Sequence, residues 1–263
     1  NGRVHPKLKT LGAYSGRTSC VDPNLQQVPS TRLPFGKECR ALFTASKDNV
    51  LVGCDAKSLE VRCFAHYMAR FDDGEFADVV LGGDIHQANA DMMECDRQTA
   101  KNTFFALIYG ASSRKIAAML DIPMRRASAL VARLFNERPA MRRLINKVKK
   151  TSAEKGYFKG LDGRILRPRS EHSAVNLLIQ SAGACVSKRA ALNLDYHIMA
   201  NDWTNTHIVG FIHDEMIIET PDADVGDVVS TAIQSFKETT EQYKLRCPMD
   251  GDAMIGMNWS EIH

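Results

Sequence analysis

The sequence predicts an α+β fold in which strands and helices occupy separate blocks of the chain. Val50–Cys54 is a short apolar run typical of a buried strand, and residues 207–219 contain two apolar runs around a charged turn, as in a hairpin. Residues from about 70 to 155 instead carry apolar side chains at helical spacing, with helix-capping residues between them. Segregation of this kind indicates an α+β protein.

Length and composition are those of an ordinary globular protein. A chain of 263 residues with 44% hydrophobic and 25% charged residues can form one or two domains, and it excludes disordered, collagen-like and membrane classes. No apolar run approaches the roughly 20 residues that span a bilayer, so we expect no membrane partner. Seven cysteines without a C-x-x-C pair indicate free thiols in a reducing, cytoplasmic compartment. Because the chain begins with Asn1 rather than Met, we interpret it as a fragment or a processed product.

Charge is distributed unevenly along the chain. Residues 125–170 contain fourteen Lys or Arg and three acids, a net charge of +11, whereas residues 214–263 contain eleven acids and three bases, a net charge of −8. A basic middle and an acidic end fit a protein that holds a polyanion with one part and metal ions with another. From charge alone, solvated helix faces are the more common explanation of such a distribution.

The helix predicted after Asp96 and before Gly110 carries a mixed stripe of side chains. Its members recur at i+4 steps, with two cations at the N-terminal end and two aromatic rings at the other: Arg97, Lys101, Phe105 and Tyr109. A nucleoside triphosphate has the matching polarity, because phosphates need positive donors and a base needs a flat apolar surface. A partly buried helix with a solvated basic end is the alternative.

The other elements are predicted from local signals. Asp84 is a helix N-cap for a segment with His86, and Asp162-Gly163 is typical of a hairpin turn. On a long helix from Glu171 to about Ala200, the polar side chains of His172, Asn176 and Gln180 are expected to need a protein or ligand partner. The remaining helices are predicted at Leu59–Met68, from Ser112 or Ser113, from Pro123, from Pro139, and at Val225–Tyr243.

Two carboxylates are predicted at the ends of strands. Asp55 follows the strand Val50–Cys54, and Asp214 lies with His213 and Glu215 in the turn of the hairpin, 159 positions further on. Neighbouring strands of one sheet could bring Asp55 and Asp214 together, and a lone Asp in either place would more commonly be structural. Two rigid carboxylates suit a two-ion phosphoryl-transfer site with Mg²⁺ ions about 4 Å apart.

These residues form three ordered motifs that resemble those of family A (Pol I type) DNA polymerases. Motif A corresponds to Asp55–Arg62, motif B to Arg97–Gly110 and motif C to His213–Glu215. Within the family the sequence is similar to the replicative polymerases of short-tailed, T-seven-like bacteriophages, which would place it in an infected bacterial cell. The segments that carry this closer match are Glu60–Gly74, Lys159–Arg164, Gln180–Ala184 and Asn258-Trp259, while the elements Ser15–Arg17 and Pro23–Gln26 add to the family resemblance.

The resemblance implies a polymerase palm, an antiparallel sheet with flanking helices, into which a mostly helical fingers subdomain is inserted. The palm would consist of residues 1–67 and 176–263, and the fingers of residues 68–175. A thumb and a 3′ to 5′ exonuclease domain, usual in the family, are expected to be absent from this chain. The resemblance therefore implies weak DNA binding and no proofreading unless another polypeptide supplies those parts.

The implied activity is two-metal nucleotidyl transfer from a dNTP to a primer 3′-hydroxyl. Asp55, Asp214 and the carbonyl of Ala56 would hold two Mg²⁺ ions, or Mn²⁺ in their place, with Glu215 beside the primer terminus. Arg97 and Lys101 would meet the charge of the leaving pyrophosphate, with Lys101 as a proton donor. The other implied dNTP contacts are His86, Phe105, Tyr109 and Glu60, the last excluding a 2′-hydroxyl.

Primer-template DNA is the second implied ligand. Its predicted contacts are Arg17, Asn176 and Gln180 in the minor groove, His213 at the primer end, and His172. Lys57 departs from the family pattern, which has a small or neutral residue there. Two alternatives remain from the sequence: a single-subunit RNA polymerase, against which Glu60 and the His-Asp-Glu motif argue, and a non-catalytic nucleic-acid-binding subunit.

Overall fold

The computed structural model describes residues 2–262, which form two compact units. The sheet unit consists of the described residues up to Leu59 and from Gly183 onward, and the helical unit is Glu60–Ala182. The predicted junctions, at residues 67–68 and 175–176, differ from these by eight and seven residues, and the division into palm and fingers stays a prediction. None of the helices within residues 2–262 combines the length and hydropathy that a membrane span requires. None of the seven cysteines, all of which lie within residues 2–262, is part of a disulfide.

Strands and helices alternate irregularly along the chain. The strands are β1 (Lys7–Lys9), β2 (Ser19–Val21), β3 (Asn49–Ala56), β4 (Phe158–Lys159), β5 (Ile165–Leu166), β6 (His207–Ile212), β7 (Glu215–Pro221) and β8 (Gly251–Gly256). The helices are α1 (Gly36–Ala41), α2 (Leu59–Met68), α3 (Glu75–Gly82), α4 (Ile85–Met93), α5 (Arg97–Ile108), α6 (Ser113–Leu120), α7 (Met124–Glu137), α8 (Pro139–Lys155), α9 (Ala174–Ala200) and α10 (Val225–Gln242).

The main sheet has four antiparallel strands in the order β6-β7-β3-β8. The predicted strand and hairpin correspond to β3 and to β6–β7. The fourth strand, β8, was not predicted, because Gly251 and Gly256 at its ends weaken the strand signal. It pairs along β3, with Asp55 directly opposite Asp252.

Each face of this sheet packs against different residues. On one face a core cluster forms from Leu51, Ile212, Ile217, Trp259 and Ile262. On the other face α10 packs against β3, β7 and β8. Its fully buried apolar residues are Val228, Ala232 and Phe236. Burial on both faces fixes the strand register, because a shift by one residue would exchange the two faces.

The helical unit is built around three phenylalanines from different helices. Phe64 in α2, Phe76 in α3 and Phe104 in α5 are buried, with ring centroids 5.9 to 6.0 Å apart. The starts of α4, α5 and α6 agree with the predicted caps Asp84, Asp96 and Ser112. Along α7 the apolar residues at helical spacing are buried only in part, because Val131 and Phe135 keep some exposure. Strands β4 and β5 form the predicted hairpin around Asp162-Gly163.

Two local predictions were wrong in detail. Glu171–Ser173 is a separate 3-10 turn capped by Ser170, and α9 begins only at Ala174. His172 therefore lies outside the α-helix and is exposed, so it does not continue the stripe of Asn176 and Gln180. In the β6–β7 hairpin the turn consists of two residues, and Glu215 is already the first residue of β7.

Candidate active site

Four acidic residues of the sheet unit form what we call the carboxylate cluster: Asp55, Asp214, Glu215 and Asp252. Asp55 is the penultimate residue of β3, Glu215 begins the neighbouring strand β7, and Asp252 lies opposite Asp55 on β8. Asp214 occupies the two-residue turn with His213, whose φ of 60° suits a tight hairpin. Three adjacent strands therefore bring these acids together where the strands end on one side of the sheet, as predicted for Asp55 and Asp214.

A cavity of about 570 Å³ opens at this side of the sheet. It is lined by residues of β3, β7 and β8, by the segments before α1 and after β3, and by the C-terminal segment: Ser30, Thr31, Arg32, Gly53, Asp55, Ala56, Lys57, Ser58, Glu215, Asp252, Met254 and Ile262. Gly53 is required in the middle of β3, because a Cβ there would lie 2.6 Å from the carbonyl oxygen of Ile262 and 3.0 Å from Glu215 Oε1. A glycine thus makes room for the buried glutamate beside the cavity.

Burial and neighbouring charges raise the pKa of two acids of the cluster, Asp55 and Glu215. Removal from water raises the pKa of Asp55 to about 7, the charges of Asp214 and Asp252 add to this, and the Ala56 amide at 2.8 Å from Oδ1 opposes it. Asp55 remains open to solvent on the cavity side, so burial of its carboxyl is incomplete. Burial and the charge of Asp55 likewise raise the pKa of Glu215 to about 7, against the influence of Arg40 and Trp259.

Such a cluster has the chemistry of a divalent-cation site. Carboxylates that destabilise each other's charge are stabilised by a cation, and oxygen donors are what Mg²⁺ and Mn²⁺ prefer. Within residues 2–262 no group of three or more His, Cys, Asp or Glu side chains is arranged to hold a metal ion. The predicted ligand set differs from such a group, because it consists of two carboxylates, Asp55 and Asp214, and the backbone carbonyl of Ala56.

The helical unit carries the predicted cation and aromatic stripe on the accessible side of α5. Arg97 and Tyr109 are exposed, and Lys101 and Phe105 are partly buried. The ring of Phe105 lies 6.0 Å from that of Tyr109 and 5.6 Å from that of His86. Burial and the charges of Lys101 and Arg97 lower the pKa of His86, which identifies these three as one positive cluster.

Two contacts in this unit connect motifs that are distant in sequence. Tyr109 Oη donates a hydrogen bond to Glu60 Oε2, so the predicted sugar-excluding glutamate is held by the last residue of the stripe. Gly110 ends the helix with a φ of 81°, and a Cβ there would lie 1.8 Å from the carbonyl oxygen of His172. Only glycine fits both the backbone conformation and this close approach.

The predicted DNA contacts are divided between the two units. In the sheet unit Arg17 follows a tight turn that begins at Ala13. Lys188 Nζ stabilises this turn by donating a hydrogen bond to the Gly16 carbonyl at 2.6 Å. His213, also in the sheet unit, is exposed. In the helical unit Asn176 and Gln180 are partly buried, and Asn176 Oδ1 has no hydrogen-bond partner among the described residues. This oxygen is an acceptor and needs a donor, whereas the predicted contact with a minor-groove acceptor would use the amide nitrogen of the same side chain.

Sequence reasoning missed two members of these sites. Asp252 was missed with β8, and the only signal for it was a short apolar run, Ala253–Ile255, between two glycines. Asp84 was predicted as a helix cap, but its second contact, an ion pair with Arg97 at 2.6 Å, was not. Neither pairing has a signature in the local sequence.

The chain matches known polymerases over its whole length. It is 32% identical to the DNA-directed DNA polymerases of Enterobacteria phage T3 and Escherichia phage T7, covering 100% of this chain and 42% of theirs. It is 28% identical to DNA polymerase I of Lactococcus lactis, over 32% of that protein. The chain thus spans less than half the length of these relatives.

Structure and family comparisons agree with these matches. The POL domain of Pol1 from M. smegmatis, solved in complex with DNA primer-template and dNTP, superposes with a TM-score of 0.90 at 23% identity, over 99% of this chain and 48% of that one. The model of DNA polymerase family A matches residues 1–261. The chain therefore belongs to DNA polymerase family A.

Proposed function

We propose that this chain is the palm and fingers of a template-directed DNA polymerase, which transfers a nucleotidyl group from a dNTP to a primer 3′-hydroxyl. The observation that carries the proposal is the carboxylate cluster, in which Asp55 and Asp214 are close enough for the charge of one to raise the pKa of the other. Family membership supports the same function, since relatives are named DNA-directed DNA polymerases.

In this proposal the sheet unit, as palm, holds the divalent cations. Asp55, Asp214 and the carbonyl of Ala56 are the ligands. Bound Mg²⁺ would make the primer hydroxyl more acidic and offset the charge of the triphosphate. Glu215, buried beside Asp55, orients the primer terminus, and His213 at the apex of the hairpin steadies it.

The helical unit, as fingers, binds the incoming dNTP. Arg97, Lys101 and His86 form the positive cluster that receives the phosphates, and Lys101 donates a proton to the leaving pyrophosphate. The ring of Phe105 packs against the base and sugar of the dNTP. Glu60, held by Tyr109, excludes a 2′-hydroxyl and so selects deoxynucleotides.

The remaining polar residues contact primer-template DNA. Arg17, Asn176 and Gln180 are donors to the purine N3 and pyrimidine O2 acceptors of the minor groove. Because these acceptors are similarly placed in every correct base pair, such contacts test pair geometry without reading sequence.

Extension of a labelled primer on a template tests the proposal. With Mg²⁺ we expect incorporation of dNTPs in template order and little incorporation of NTPs, and chelation of the metal stops the reaction. Preferred incorporation of NTPs would favour the RNA polymerase alternative. DNA binding without any incorporation, in Mg²⁺ or Mn²⁺, would favour a non-catalytic binding subunit.

A further inference from the structure

The carboxylate of Asp84 joins the starts of two helices in the helical unit. Its Oδ1 accepts hydrogen bonds from the amides of His86 at 2.9 Å and Gln87 at 3.2 Å, which caps α4. Its Oδ2 accepts from Arg97 Nε at 2.6 Å, at the start of α5. One side chain thus holds the backbone beside His86 and the guanidinium of Arg97.

The contact leaves most donors of the positive cluster open. Arg97 is bound through Nε, and its two terminal nitrogens, with four N–H groups, contact no acceptor among residues 2–262. Lys101 Nζ likewise has no hydrogen-bond partner in the described chain, and His86 Nδ1 is buried without one. The terminal nitrogens are the pair that grips a phosphate in a two-bond contact. Asp84 therefore binds only Arg97 Nε and leaves the two terminal nitrogens available to bind an anion.

Stability is a poor explanation for this ion pair. Arg97 is 48% exposed and Asp84 44% exposed, and exposed pairs contribute little to folding. Fixing a long, flexible side chain before a ligand arrives does matter for binding, because the ligand then need not order it. Both oxygens of Asp84 already accept N–H donors, which limits their repulsion of a phosphate.

We propose that Asp84 is a positioning residue of the nucleotide site, which acts through Arg97 by holding its guanidinium ready for the triphosphate. This inference rests on the proposed function in one respect, the identity of the ligand as a dNTP. A competing role, in which Asp84 imitates a phosphate and must be displaced, predicts the opposite sign in the experiment below.

The chain offers a matched pair of variants. Asp84→Asn keeps an oxygen to cap α4, since Asn and Asp are equally good caps, but it removes the charge that holds Arg97. Asp96→Asn makes the same change at the cap of α5, where Asp96 Oδ1 accepts from the Thr99 amide at 2.9 Å. Asp84→Ser, another good cap, provides a second test should the first variant fold poorly.

Binding of dTTP with Mg²⁺, measured by calorimetry on the whole chain without DNA, tests the proposal. We expect Asp84→Asn and Asp84→Ser to weaken binding about 3- to 10-fold, and Asp96→Asn by less than about 2-fold. In an Arg97→Gln background, Asp84→Asn should have no further effect. In primer extension the KM for dTTP should rise while kcat is retained, which a general loss of structure would not produce.

The outcomes separate this proposal from the proposed function. If the wild type binds dTTP and Asp84→Asn binds it as tightly as Asp96→Asn, or more tightly, Asp84 is not a positioning residue and the proposed function stands. If Asp84→Asn weakens binding equally in the Arg97→Gln background, it does not act through Arg97. If the wild type binds no dTTP without DNA, this proposal is overturned, and primer extension decides the proposed function separately.

Discussion

The sheet unit and the helical unit present functional groups of opposite charge, and they hold them in opposite ways. In the sheet unit, acids from three strands meet at the ends of the strands, where burial and mutual repulsion raise the pKa of Asp55 and of Glu215 to about 7. In the helical unit, Arg97 and Lys101 come from a single helix, and Arg97 is already paired with Asp84.

This difference shows how each unit is prepared for its ligand. A bound cation stabilises a cluster of acids by offsetting their mutual repulsion, whereas accessible cationic side chains with unused N–H donors are suited to bind an anion. The sheet supplies rigidity, because paired strands and a two-residue hairpin turn hold the carboxylates, while the helix supplies regular spacing along a phosphate chain. The following five changes test that division of roles.

Asp214→Asn should have the largest effect, because it removes a charge from the acidic side. We expect primer extension to fall by at least about 10³-fold, as on loss of a principal stabilising group for the transition state, with an unchanged circular dichroism spectrum. Asp222→Asn, an exposed residue at the other end of β7, is the control and should retain activity. Unchanged activity and unchanged Mg²⁺ dependence in Asp214→Asn would contradict the catalytic role.

Lys101→Ala tests the basic side. Loss of a proton donor and of a positive charge at the leaving group should lower kcat by about 10²- to 10³-fold. Lys115→Ala, an exposed lysine on α6, is the matched control. An effect confined to the KM for dNTP would reassign Lys101 to binding alone.

Phe105→Tyr sharpens the role of the aromatic part of the stripe. The phenylalanine ring has no hydroxyl to replace a missing sugar 3′-hydroxyl, so the wild type should discriminate against dideoxynucleotides. The added hydroxyl supplies one hydrogen bond, which should reduce that discrimination by about 10- to 100-fold in chain-termination assays. Equal termination by both proteins would show that Phe105 does not face the sugar.

Asp55→Asn tests the repulsion within the acidic cluster through stability. Because the pKa of Asp55 is raised from 3.8 to about 7 on folding, the folded state binds its proton more tightly. The stability of the metal-free protein should therefore fall as pH rises from about 4 to 7, by about 1 to 2 kcal/mol for this partly solvated group. Urea denaturation in a chelator at pH 5 and pH 8 should show a smaller pH effect in the variant, whereas Asp222→Asn should behave as the wild type.

Lys57→Ser should have the smallest effect. Lys57 lines the cavity beside Asp55, so its removal takes one positive charge from the neighbourhood of the cluster. Mn²⁺ binding, followed by electron paramagnetic resonance, should tighten by about 2- to 5-fold, as expected for a charge screened by water. Weaker binding would mean that Lys57 supports the site instead, and Lys37→Ser on α1 is the control.

Local patterns explain why some of these features could be predicted. The start of α5, its end and its stripe all follow from residues within one helix: an Asp cap, a glycine with positive φ and i+4 spacing. Asp55 could be placed because an apolar strand precedes it directly. In contrast, Asp252 could not, because its position depends on the pairing of β8 with β3, and the short sequence of β8 carries little strand signal by itself.

The sequence alone determined the α+β class, most helix boundaries, the three motifs and the family. Helix boundaries depend on residues a few positions apart, and the motifs and the family are recognised from the order of residues along the chain. The tertiary structure decided which side chains meet. It placed Asp252 opposite Asp55, joined Asp84 to Arg97 and Tyr109 to Glu60, and moved His172 out of the long helix. Contacts of this kind depend on the packing of whole elements, and no spacing along the chain encodes them.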